Sequence, residues 1–355
     1  MSRELDNSVE LQEAVRAAAA ENRPLNLTGG NSKAFYGGEI RGTPLAVDSH
    51  CGVINYEPKE LVLTARAGTR LDEIEAVLLA QRQMLAFEPP HFGNNATLGG
   101  SIACGFSGPR RPYAGSARDF VLGVRIINGS GELLRFGGEV MKNVAGYDIS
   151  RLMCGALGTL GVLLAVSLKV LPVPECEITL VQERSQAEAI KVVNQWASLP
   201  LPITAACYDG LQLYLRLSGE PEAVAAGKNL VGGSETPERN RIWSDIREHR
   251  HAFFDSERPL WRLSLPLQSA PVELPGKQLI DWGGAQRWLL SDAAAAEIRK
   301  TAEAHGGHAT LFRGSVNRND VFHPLTGPLQ ALHLQLKRAF DPQAIFNRGR
   351  LYPDF

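Results

Sequence analysis

The stretch Ala96-Thr97-Leu98-Gly99-Gly100-Ser101-Ile102-Ala103-Cys104-Gly105-Phe106-Ser107-Gly108-Pro109-Arg110-Arg111-Pro112-Tyr113-Ala114-Gly115-Ser116-Ala117-Arg118-Asp119 decides how the rest of the chain is read. Small residues dominate it. Gly99, Gly100, Gly105, Gly108 and Gly115 leave the backbone without side-chain cover, and such backbone lets a ligand approach closely. Bare N–H groups in such a loop can hydrogen-bond a flat polar ligand or a diphosphate. A run of linked turns uses the same residues, so on this stretch alone both readings stand. A second glycine loop upstream and a third downstream favour the ligand.

Upstream, the short strand Pro24-Leu25-Asn26-Leu27 runs into Thr28-Gly29-Gly30-Asn31-Ser32-Lys33. Gly, Asn and Ser after a strand offer converging N–H and O–H donors suited to a diphosphate. A Gly-Gly hairpin turn is the plain alternative. No Walker loop is present, because G-x-x-x-x-G-K-[ST] does not occur. Downstream, a short helix over 148–153 leads into Gly155, Gly158 and Gly161 and then a strand over 162–171. The spacing is G-x-x-G-x-x-G, between a helix and a following strand. A Rossmann turn needs G-x-G-x-x-G between a strand and a following helix, so the pattern argues against an NAD site.

Around these loops the periodicity predicts a helix over 8–20 capped by Ser8, strands over 45–48 and 61–67, and a helix over 71–81. Glu88-Pro89-Pro90-His91 is a rigid extended connector. Strands over 120–127 and 132–136 flank Asn128-Gly129-Ser130-Gly131, a hairpin signal. Pro172-Val173-Pro174 marks a linker. Beyond it come strands over 177–182 and 205–217, helices over 186–198 and 293–305, a solvent loop at 232–235, and a helix over 329–340 before the tail.

The 355 residues are 44% hydrophobic and 21% charged, which suits a packed core. With 37 basic and 38 acidic residues the net charge is −1, which gives no electrostatic reason to expect nucleic acid or an anionic membrane. The five cysteines (Cys51, Cys104, Cys154, Cys176, Cys207) are scattered, with no C-x-x-C. That excludes a cluster held by close cysteine spacing and suggests reduced thiols. The first residues are polar and acidic, unlike a signal peptide. The most apolar run, 157–171, is broken by glycines and Lys169 and reads as a core strand rather than a membrane span.

Taken together, residues 24–37, 52–58, 96–119, Lys142-Asn143-Val144-Ala145-Gly146-Tyr147-Asp148, Gly158-Thr159-Leu160-Gly161-Val162 and the tail Phe340-Asp341-Pro342…Phe346-Asn347…Gly349-Arg350 resemble the FAD-binding subunits of bacterial glycolate oxidases. These belong to the wider vanillyl-alcohol oxidase / p-cresol methylhydroxylase (PCMH) flavoprotein family. The resemblance implies an α+β fold: a PCMH-type FAD domain of two subdomains over 1–173, an α+β cap over 174–335, and a C-terminal segment over 336–355 returning to the flavin. By motif position, Gly29, Gly30, Asn31, Ser32 and Lys33 would cradle the diphosphate. Thr97, Gly99, Gly100, Cys104, Gly105 and Gly108 would line diphosphate and isoalloxazine, with Pro90, Gly115 and Ser116 near the flavin. Gly161 and Val162 would sit at the adenosine end, and Asn347 and Arg350 would close the site.

Two departures from the pattern carry consequences. Covalent members often carry a histidine after the first Gly-Gly pair. Asn31 stands there and has no nucleophilic ring nitrogen, so the FAD is expected to be non-covalent, with His91 a remote second candidate for a linkage. Leu157 stands where a glutamate is usual, which removes one polar contact. Related D-2-hydroxy-acid dehydrogenases carry H-x-G-D-G-N-x-H, whereas this chain has only His305-Gly306-Gly307-His308, either a metal pair or a helix end with its capping glycine. Asp281, Trp282 and Arg313 are further candidates for the flavin's exposed face, but no catalytic residue is assigned.

The chain holds no electron acceptor of its own. The resemblance implies a larger FAD-containing glycolate oxidase subunit and an iron–sulfur subunit as partners, in the cytoplasm, with any membrane attachment through those partners. Rival readings are a self-sufficient FAD-dependent dehydrogenase of another hydroxylated substrate, and a structural subunit with a vestigial flavin site.

Overall fold

The computed structural model describes residues 4–138, 148–236, 241–314 and 320–355. Its first sheet runs Val53–Glu57, Val62–Arg66, Val162–Lys169, Val121–Ile127 and Leu133–Gly137, with every neighbouring pair antiparallel. The central strand Val162–Lys169 is buried along nearly its whole length. Its apolar run reads without alternation because both of its faces are covered. The Ser8–Ala20 helix turns Leu11, Val15 and Ala18 into this core, and the Leu71–Leu79 helix turns in Leu71, Ile74 and Leu78. Ile345 and Phe346 of the tail, both fully buried, complete the same cluster. The hairpin forms between Val121–Ile127 and Leu133–Gly137, and the Asn128 side chain accepts the N–H groups of Ser130 and Glu132 in its turn.

A second, eight-stranded antiparallel sheet follows, in the order Ser234–Glu235, Cys176–Glu183, Gln212–Gly219, Ile203–Tyr208, Lys277–Asp281, Gln286–Leu290, Leu260–Ser264, His308–Arg313. The Gln186–Trp196 and Pro221–Val231 helices bury their apolar stripes in one cluster against it, and the Ala295–Ala304 helix in another. A separate aromatic cluster joins Trp243, Phe254, Trp288 and Phe312 of this sheet region to Tyr36, Phe106 and Leu157 of the first half. The two halves therefore share a core.

Several expectations change on contact with the fold. The central stretch is not a continuous loop: Leu98–Cys104 is a helix capped by Thr97. Ser8 lies inside the first helix, which Asn7 precedes. Leu171–Pro172 pairs with Gln83–Met84 instead of acting only as a linker, and Ser234–Glu235 is an edge strand rather than a free loop. The helix Gly327–Phe340 spans the expected 335/336 boundary. The motif at 142–147 lies outside the described residues.

A buried ionic quartet fixes the two halves. Glu88 meets Arg110 at 3.3 Å and Arg216 at 2.8 Å, and Arg110 reaches Glu177 at 2.7 Å. Burial opposes the Glu88 charge, yet Arg216 and Arg110 hold its carboxyl below the usual range. Removing one member of such a network leaves a buried charge uncompensated. Arg216→Met is therefore expected to cost about 3–5 kcal/mol, read from the shift in denaturant midpoint. A loss below about 1 kcal/mol would mean the quartet does not hold the halves together.

Candidate functional site

Three chain segments and the tail enclose one cavity of about 650 Å³. The first wall is the turn after Leu25–Thr28. The backbone N–H groups of residues 29–33 donate to no described residue. Asn31 sits at φ 56°, which turns successive amides toward one side. Lys33 is buried, with its ammonium 3.2 Å from Ser32 Oγ and 3.3 Å from the His91 carbonyl. No described carboxylate lies within ion-pair distance of it, and burial pushes its pKa down. A buried cation beside five free amides favours an anion in this cavity.

The second wall is the start of the Leu98–Cys104 helix. Here the expectation of bare amides is overturned. Gly99 N–H donates to the Ala67 carbonyl at 2.7 Å, Gly100 N–H to Thr97 Oγ1 at 3.3 Å, and Gly108 N–H to the Phe87 carbonyl at 2.9 Å. Gly105 and Gly115 N–H groups also bond within the protein. What this wall supplies is an uncovered surface: a Cβ on Gly100 would meet only Thr97 Oγ1.

The third wall comes from Leu157, Gly158, Gly161 and Val162. Asn347, 3% exposed, ties it to the first wall. Its Oδ1 accepts the Leu27 N–H and its Nδ2 donates to the Leu157 carbonyl, both at 2.7 Å. Arg350 closes this end by donating to the carbonyls of Lys33, Ala34 and Gly38 at 3.3 Å each.

Of the sequence candidates, the structure gathers Gly29, Gly30, Asn31, Ser32, Lys33, Thr97, Gly99, Gly100, Cys104, Gly161, Val162, Asn347 and Arg350 around this cavity. Gly105 and Ser116 line a second cavity of about 400 Å³, which shares Cys104 and Leu157 with the first. Pro90 and Gly108 line a small crevice elsewhere, and Gly115 lines none of these. Sequence reasoning missed Glu39, Ile40, Pro44 and Val47 on the first cavity's far wall. No motif marks them, since the parallel pairing of Leu25–Thr28 with Thr43–Ala46 brings them there.

The catalytic candidates disperse. His305 Nδ1 lies 3.0 Å from the Thr301 carbonyl at a helix end, while His308 lines the second cavity, so the pair does not converge on a metal. Among the described residues no group of three or more potential metal ligands occurs. His91 Nε2 lies 3.1 Å from Glu75, and its ring lines neither cavity. Arg313 donates to the Phe254 carbonyl. Asp281 is buried at the crevice beyond Gly108.

A family profile described as an FAD binding domain matches residues 4–137. Glycolate oxidase subunit GlcE of Escherichia coli (strain K12) is 50% identical over 354 residues, covering 100% of both chains. The chain belongs to the GlcE family of FAD-binding glycolate oxidase subunits. Glycolate oxidase subunit GlcD of Bacillus subtilis is 33% identical over 156 residues, 43% of this chain and 33% of that protein. A solved alkyldihydroxyacetonephosphate synthase superposes with a TM-score of 0.68 over 96% of this chain and 75% of its own, at 17% identity, a likeness of fold. The fold is thus the PCMH-type α+β flavoprotein fold, the cofactor is FAD, and the chain is an FAD-dependent oxidoreductase subunit. Among the described residues no helix is long and apolar enough to cross a membrane. The free amides, the buried lysine and the uncovered glycine surface fit a long, doubly phosphorylated, flat group.

Asp281 gives a pH signature. Burial pushes its carboxyl up to about 7, against the N–H of Trp282 at 2.8 Å that favours the charge. In the unfolded chain an aspartate titrates near about 4. Between those values the folded protein holds a proton that the unfolded chain releases. Stability from this group is therefore full below about pH 4 and declines as pH rises through about 7. Asp281→Asn lacks that slope, and its stability relative to the natural chain should rise by roughly 2–4 kcal/mol between those pH values. Denaturant midpoints measured across the range check it, and parallel curves for the two proteins would refute it.

Proposed function

We propose that this chain is the FAD-bearing accessory subunit of a glycolate oxidase complex that converts glycolate to glyoxylate. The carrying observation is the full-length identity to GlcE, joined to the five free amides and buried lysine around one cavity. FAD bound there supplies hydride acceptance at N5. Gly29, Gly30, Asn31, Ser32 and Lys33 hold the diphosphate. Thr97, Gly99, Gly100 and Cys104 face the flavin half, and Gly161 and Val162 face the adenosine half. Asn347 and Arg350 keep the walls in register.

The linkage is non-covalent. Asn31 cannot form one, and the His91 ring is turned to Glu75. The scattered cysteines, none of them in a disulfide, offer no cluster for onward electrons. The acceptors are a larger FAD-containing subunit and an iron–sulfur subunit, in the cytoplasm, with any membrane attachment through them. The unit 1–173 holds the five-stranded sheet and two two-stranded ones, the unit 174–326 holds the eight-stranded sheet, and the final helix and tail close on the first.

One observation favours the independent-enzyme reading: a second cavity adjoins the first, with room beside a flavin. Leu157 favours the vestigial one, and the donor set of the first loop speaks against it. The purified chain should be yellow, and acid precipitation should leave the flavin in the supernatant. Alone, with glycolate and an artificial acceptor, it should not turn over. Robust turnover, or a colourless chain that takes up no FAD, overturns the proposal. Lys33→Met removes a charge-assisted hydrogen bond and should weaken FAD uptake by the stripped chain about 10–100-fold, read from quenching of flavin fluorescence.

A further inference from the structure

The second cavity is lined by arginine side chains that no described carboxylate meets in an ion pair. Arg111, Arg118 and Arg262 line it together with His308, and no described aspartate or glutamate does. None of the three arginines forms an ion pair with a described residue. Asp119, a near neighbour, is held by the Ser116 N–H at 2.8 Å and hydroxyl at 2.7 Å. His323, also in the lining, sits 3.1 Å from Glu303 and is spent there.

Two of the arginines are mounted rather than loose. The Arg111 guanidinium lies 4.3 Å over the Trp282 ring, and that ring is fixed by its own N–H donating to the Gly108 carbonyl at 3.0 Å. Arg262 packs against Phe106 and Tyr36 at 5.7 and 5.8 Å and donates one N–H to the Tyr36 hydroxyl at 3.2 Å. Stacking occupies the faces of the guanidinium groups and leaves N–H edges to recognise a planar anion by a forked pair of hydrogen bonds. Their positions are fixed by different parts of the fold. Arg111 belongs to the glycine stretch of the first half, and Arg262 to the Leu260–Ser264 strand of the second sheet. Burial and then Arg262 push the Arg111 pKa down, and Asp119 opposes them only in part. Half-buried like charges without an ion-pair partner are costly unless a ligand supplies one.

We propose that this cavity binds a small organic acid carrying two carboxylates, taken up between Arg111 and Arg262, with Arg118 at the rim. A two-carbon monoacid is small against about 400 Å³ and leaves one guanidinium unanswered. The proposal is independent of the glycolate assignment and uses FAD only as a reporter in the adjoining cavity.

The test titrates the FAD-loaded chain with succinate and malate, and with acetate and glycolate, by calorimetry. The flavin difference spectrum is the second readout. Succinate or malate should bind about tenfold or more tightly than either monoacid. Arg111→Gln and Arg262→Gln should each weaken the diacid about tenfold or more, Arg262→Lys less, and the exposed Lys59→Gln not at all. Arg118→Gln, at an exposed position away from the aromatic mounts, gives a second reading that does not depend on folding of the first two. Thermal melts identify any variant that is simply unfolded. Absence of saturable diacid binding, equal affinity for monoacids and diacids, or folded arginine variants that bind like the natural chain would each overturn the proposal. A chain that carries no FAD refutes the cofactor assignment instead, and calorimetry on that chain still tests the diacid.

Discussion

One buried carboxamide holds the cofactor cavity together. Asn347 joins the strand after Pro24, the loop at Leu157 and the C-terminal tail, segments far apart in sequence, through one accepted and one donated hydrogen bond. Its own backbone N–H adds a bond to the Leu25 carbonyl, and Leu25 N–H returns one to Ile345. Below it, Lys337 and Asp341 pair at 2.8 Å, and the lysine also donates to the carbonyls of Thr159 and Phe346. Polar groups this deeply buried are stable only when every one is answered. The cavity is therefore not a property of any one loop. It exists only when residue 350 has come back to residue 30.

The second half of the chain depends on a different constraint, the quartet of Glu88, Arg110, Glu177 and Arg216 beside the shared aromatic cluster. The apolar contacts supply the area, and the charges allow one relative placement because each guanidinium must find both carboxylates. That placement is what sets the second cavity, since its cationic walls come from the two halves. Beside the quartet, burial raises the Asp281 carboxyl, with Glu88 adding to the rise and Arg216 opposing it.

What was legible in the sequence follows the reach of each signal. Apolar spacing found the Ser8–Ala20 helix at its observed bounds, and Asn128-Gly129 found the hairpin, because both are local. The glycine loops located most of the first cavity. The Leu98–Cys104 helix was hidden because two glycines in its first turn carry low helix propensity. It forms because Thr97 caps it and because Leu98 and Ile102 are fully buried. The pairs Gln83–Met84 with Leu171–Pro172, and Ser234–Glu235 with its neighbour, exist only through tertiary contact. His305-Gly306-Gly307-His308 suggested a ligand pair, but the glycines end the helix and send the second histidine along a strand, away from the first.

The glycines themselves divide in a way that no count of them reveals. A Cβ on Gly30 would sit 1.4 Å from the Asn95 carbonyl oxygen, and one on Gly158 would sit 2.7 Å from Asn347 Nδ2. These positions are bare because one wall presses on another. Gly100 and Gly155 are different: a Cβ on Gly155 meets nothing within 4 Å, and one on Gly100 meets only its own cap. Those two leave room for something outside the protein. A glycine-rich stretch thus does two jobs that look alike in sequence. One set of glycines lets loops close on each other tightly enough to make a cavity. A much smaller set, together with the unspent amides of residues 29–33, is what the cavity offers to the molecule inside it.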